Sequence, residues 1–108
     1  METTEFIVVL VTSPSEEEAE RLASRLVEEK LAACVNILPT SSLFRWEGKL
    51  SKENERLLII KTRRSLFHNL EKRVKELHSY EVPEIVALPV VAGSKQYLDW
   101  LKESVSET

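Results

Sequence analysis

The sequence has one cysteine, Cys34, and two glycines, Gly48 and Gly93, in 108 residues. A single cysteine excludes an internal disulfide, the usual support of small secreted domains. Two isolated glycines exclude the glycine-rich loops that cradle phosphates. No apolar run approaches the length of a membrane-crossing helix. No run of like charge is longer than Glu16-Glu17-Glu18. Basic excess is also missing, since 15 Lys and Arg stand against 18 Asp and Glu, for a formal charge of −3. A net-acidic chain is poorly suited to neutralising nucleic-acid phosphates. The opening residues Met1–Glu5 lack the basic start and apolar core of a signal peptide. These absences predict a chain in a reducing, cytoplasmic setting, without nucleic-acid or membrane partners.

What is present is a balance of 43% apolar and 31% charged residues, which suits one folded domain over residues 1–108. FIVVLV, Phe6–Val11, reads as a buried strand. Ser13, Pro14 and Glu16 spell a helix start with a capping box, and Ala19, Leu22, Ala23, Leu26 and Val27 form its apolar face. LAACVNIL, Leu31–Leu38, returns to strand until Pro39 interrupts it. Leu43–Trp46 is the next strand, Glu47-Gly48 a two-residue hairpin turn, and the returning arm passes a bulge near Lys52–Asn54 into RLLIIKT, Arg56–Thr62. Ser65 caps a second helix with the inner stripe Leu66, Leu70, Val74 and Leu77 and an outer Glu71–Lys75 pair. Ile85–Leu88 is the last core strand, closed by Pro89, and Val90-Val91 can extend it to another edge. Ser94 opens a final helix carrying Tyr97, Leu98, Leu101 and Val105.

The predicted class is α+β: a ferredoxin-like β-α-β-β-α-β antiparallel sheet with an added C-terminal helix. Successive strand residues face opposite sides. In Phe6–Val11, Leu57–Ile60 and Ile85–Leu88 both sides are apolar. Two helices cover only one face, so the pattern predicts that other copies of the chain cover the second. The alternative is that the C-terminal helix folds under it.

Five strings then carry a resemblance: LAACVNILP (Leu31–Pro39), WEGKL (Trp46–Leu50), IIKT (Ile59–Thr62), HSYEVPEIVALPV (His78–Val90) and YLDWL (Tyr97–Leu101). In this order and spacing they resemble the CutA family of divalent-cation tolerance proteins. The resemblance implies a homotrimer, a role in response to divalent metals (chiefly copper), and no established reaction, hence no catalytic residues. Mammalian relatives are linked to anchoring of a membrane acetylcholinesterase.

No Cys-x-x-Cys or paired-histidine spacing marks a metal site. Cys34 reads as a small core residue and His68 as a surface histidine. His78, at a helix C-terminus, can cap the last carbonyls. By resemblance it stands at the histidine of a His-Pro-Tyr motif tied to copper, with Glu81 as a nearby carboxylate. Copper-linked relatives carry a further histidine where Leu77 stands and a cysteine where Val11 stands. Ser79 replaces the motif's proline. The implied metal contact is therefore weak, and no cofactor is obligatory. A second reading is a small-molecule sensor like the trimeric PII signalling family, with Lys61, Tyr80, Glu84 and Trp46, beside Arg63 and Glu81, lining a cleft between subunits.

Overall fold

The computed structural model describes residues 1–106. The strand β1 (Phe6–Ser13) leads into α1 (Glu16–Glu28), β2 (Cys34–Trp46) and β3 (Lys49–Arg63). A 3-10 turn at Arg64–Leu66 precedes α2 (Phe67–Leu77), β4 (Ile85–Pro89) and α3 (Lys95–Glu103). The four strands form one antiparallel sheet in the order β2-β3-β1-β4.

The strand β1 continues two residues further than its apolar stretch. Thr12 and Ser13 pair with Leu57 and Arg56. Ser13 therefore lies in the ladder, and the expected capping box at Ser13 and Glu16 does not form. Ser15 caps α1 instead, its hydroxyl accepting the Glu18 N–H at 3.2 Å. Ala19, Leu22 and Leu26 are fully buried, whereas Val27 faces solvent.

Pro39 does not break β2, which runs for 13 residues through the Thr40-Ser41-Ser42 segment. β2 is an edge strand, where a missing donor need not interrupt the ladder. The β2–β3 register is continuous from Cys34↔Lys61 to Trp46↔Lys49, so the expected bulge near Lys52–Asn54 is absent. The turn is as expected: Glu47 and Gly48 have φ of 50° and 77°, the left-handed pair that a type I′ hairpin turn needs. Ser65 does not cap α2, because the 3-10 turn takes that position and no side chain caps the helix. Glu71 and Lys75 pair at 3.4 Å. Past β4, the chain pairs with its own N-terminal segment, through Val90 N–H to the Phe6 carbonyl, Thr3 N–H to the Val91 carbonyl and a Glu2–Ala92 bridge.

The core lies between the helices and one sheet face. Ile7, Val9 and Val11 pack with Leu58 and Ile60 against Leu22, Leu26, Leu70 and Val74. On the other face α3 covers only one end, where Leu98, Leu101 and Val105 meet Phe6, Ala33 and Leu66. Val8, Leu10, Leu57 and Ile59 are left half-buried. Val86 and Leu88 are 47% and 51% exposed.

Candidate functional site

Where β1 ends, α1 begins and α2 stops, five polar side chains come together. Glu18 belongs to the first turn of α1, and its carboxylate is turned inward to 6% exposure. Its Oε2 lies 3.4 Å from the Ser13 hydroxyl and accepts the Ser79 N–H at 3.3 Å. Arg21 approaches the other oxygen at 4.0 Å.

His78 follows the last turn of α2, and its backbone N–H donates to the Val74 carbonyl at 2.8 Å. Its side chain has no exposed surface. The ring nitrogens have unlike partners. Nε2 lies 2.6 Å from the Thr12 carbonyl, which can only accept. Nδ1 receives the Tyr80 N–H at 2.9 Å, which can only donate. The partners thus select the neutral ring with its proton on Nε2. Glu18 Oε2 stands 3.4 Å from Nδ1.

Tyr80 completes the cluster. Its ring centroid is 4.9 Å from that of His78, and its hydroxyl donates to Glu55 Oε2 at 2.9 Å. Glu55 is 6% exposed. Burial, then the hydrogen bond and charge of Glu55, push the Tyr80 phenol up to about 12.

Chemically, this is a hydrogen-bonded clamp. Ser13, Glu18 and His78 are the residue types of a nucleophile–base–orienter set, but the roles are not assembled. The Ser13 hydroxyl faces Glu18 and the Ser15 carbonyl, and the ring nitrogens face Thr12 and Tyr80. A resident metal does not fit either. Both His78 nitrogens are committed inside the chain, and among the described residues no group of three His, Cys, Asp or Glu is placed to hold an ion. Glu81, expected beside His78 as a ligand, is exposed.

The residues expected in a cleft lie on separate parts of one chain. Lys61 sits on the open sheet face and donates to Asn36 at 2.8 Å. Tyr80 is tied to Glu55, six residues back along β3 and so roughly 20 Å away. Trp46 is at the hairpin tip, 63% exposed and about as far again. Glu84 is exposed just before β4, and Arg63 pairs with Glu5 at 3.0 Å. Cys34 is half-buried on the edge strand rather than in the core, 4.0 Å from Asn36, and His68 is on the surface as expected.

Glu18 and Glu55 are members of this buried cluster that the sequence reading missed. A signal existed for each. Glu18 precedes Leu22 and Leu26 by four and eight, on the buried stripe. Glu55 has the same strand parity as Leu57 and Ile59.

Among the described residues no helix is long and apolar enough to cross a membrane. The sequence profile of the CutA1 divalent ion tolerance protein matches residues 7–104. The divalent-cation tolerance protein CutA of Thermus thermophilus is 55% identical over 90% of this chain and 95% of its own. The chloroplastic CutA of Arabidopsis thaliana is 54% identical over 91% of this chain, which spans only 54% of that longer protein. The crystal structure of CutA1 from Oryza sativa superposes with a TM-score of 0.95 at 51% identity, covering 98% of each chain.

Proposed function

The chain belongs to the CutA1 divalent ion tolerance family, and from that premise we propose that it serves, without catalysing a reaction, as a self-associating component of the response to divalent metal ions. In this reading three copies assemble on a ferredoxin-like fold in a reducing, cytoplasmic compartment. The observation that carries it is the sheet face that one chain leaves open. Val8, Leu10, Leu57, Ile59, Val86 and Leu88 form an apolar band that α3 does not reach. Each large apolar side chain removed from water is worth about 1.5–3 kcal/mol, so a second copy is the economical cover.

Contact with copper or another divalent ion is weak in this reading. To ligate, His78 has first to release Thr12 or Tyr80, and each release leaves a buried polar group unpaired at a cost of about 1–3 kcal/mol. The role itself is tested by growth. A bacterial strain lacking its own family member is challenged with copper while expressing this chain. Restored growth is the expected result; growth no better than with empty vector contradicts the role.

A further inference from the structure

Among the described residues the two most exposed large apolar side chains are Val82 at 87% and Leu50 at 77%. Each stands inside a small charged patch. Leu50 belongs to the far half of the β2–β3 hairpin, which has no β1 alongside because β1 pairs with β3 only as far as Arg56. In the hairpin ladder Arg45 lies opposite Leu50 and Leu43 opposite Lys52. Directly opposed residues share a side, and so do residues two apart on one strand. Leu43, Arg45, Leu50 and Lys52 therefore form one patch, two leucines crossed with two cations, all exposed.

Val82 belongs to the link between α2 and β4, in the string Glu81-Val82-Pro83-Glu84. Glu81 and Glu84 are exposed on either side of it. Pro83 fixes its own backbone and biases Val82 toward an extended one, so the string stands as a short, stiff ridge. The ridge leads into Ile85, which pairs with Val11 near the end of β1. It thus lies at the end of the sheet from which the hairpin projects.

The two patches are alike in build and opposite in charge. Among the described residues the side chains of Arg45, Lys52, Glu81 and Glu84 have no hydrogen-bond or ion-pair partner. Within one chain β2 and β4 are opposite edges of the sheet, separated by β3 and β1, a span of roughly 14 Å. Between copies, arm against arm would set Arg45 and Lys52 against the same cations, which is unfavourable. Arm against ridge sets cation against carboxylate and leucine against valine.

We propose that the hairpin arm of one copy docks on the 81–84 ridge of the next: Leu43 and Leu50 cover Val82, and Arg45 and Lys52 pair with Glu81 and Glu84. This rests on the self-association put forward above and names the surfaces that meet. Each copy gives one arm and receives one, so the contact is head to tail, and repeated by rotation it closes a ring.

The test is disulfide trapping in the full-length chain carrying Cys34→Ser. Copies with Leu50→Cys and copies with Val82→Cys are co-expressed, purified together, oxidised and separated without reductant. A covalent dimer is expected from the mixture, and little from either variant alone, where arm would have to meet arm or ridge meet ridge. Arg45→Glu with Lys52→Glu in the Leu50→Cys copy should cut the dimer about fivefold through like-charge contact. Glu81→Lys with Glu84→Lys in the Val82→Cys copy should then restore it. All these positions are exposed, so the fold is kept, and light scattering of the Cys34→Ser protein reports assembly independently. A multiple of the chain mass without a mixed dimer overturns this docking and leaves self-association standing. A monomeric mass removes both. A dimer from Leu50→Cys alone, or a yield that the charge reversal does not change, also overturns the docking.

Discussion

A single atom of Tyr80 has a measurable consequence in this site, because its hydroxyl is the donor shown to the buried Glu55 carboxylate. Tyr80→Phe leaves that carboxylate unpaired, and chemical denaturation should find a loss of about 1–3 kcal/mol. The alkaline side gives a second reading. The folded phenol holds its proton up to about 12, whereas an unfolded tyrosine releases it near 10. Between those values the unfolded chain binds fewer protons than the folded one, so stability falls as pH rises. Denaturation midpoints from pH 9.5 to 12 should show that slope in wild type and lose it in Tyr80→Phe. His78 was legible in the sequence as a residue worth attention, but its partners were not. Glu18 and Glu55 are 60 and 23 positions earlier in the chain. Only the meeting of β1, α1, β3 and the end of α2 makes them neighbours. Glu18 read most simply as one of three acids complementing the helix dipole, since a first-turn acid gains from the dipole whether it points in or out.

At the scale of elements, local chemistry decided some features and pairing decided others. The Glu47-Gly48 turn was legible because a type I′ turn needs left-handed angles and the sequence offers glycine there. The cap of α1 was not, because Ser13 with Glu16 and Ser15 with Glu18 both have the serine-x-x-glutamate spacing of a capping box. The pairing of Ser13 with Arg56 breaks the tie by holding Ser13 in the sheet. Pro39 misled for a related reason: the cost of a missing donor depends on whether the strand lies at an edge, and strand order is a property of the whole sheet. The helix starts can be checked by mutation. Ser15→Ala should destabilise the protein by about 1 kcal/mol through loss of the cap to Glu18 N–H. Ser65→Ala, at an exposed position where no side chain caps α2, should stay within about 0.5 kcal/mol of wild type in the same urea titration.

The whole molecule departs from a sphere. Its extents are 44 × 25 × 22 Å and its radius of gyration is 14.4 Å, against about 13 Å for a compact domain of this length. The excess length comes from the far half of the β2–β3 hairpin, which runs beyond the other strands and carries Leu43, Trp46 and Leu50 at 62%, 63% and 77% exposure. The exposed apolar side chains of this arm and the open sheet face are surfaces that a partner would cover. The continuous apolar runs Phe6–Val11 and Ile85–Leu88, apolar on both sides, already predicted such a cover; the structure adds that α3 supplies it only around Phe6. The central claim is that further copies of the chain supply the rest. Light scattering on the purified protein at micromolar concentration tests it most directly. The account predicts a mass about three times the 12.4 kDa of one chain. A different multiple would keep the covered face but remove the trimer, and a mass of 12.4 kDa would contradict the account.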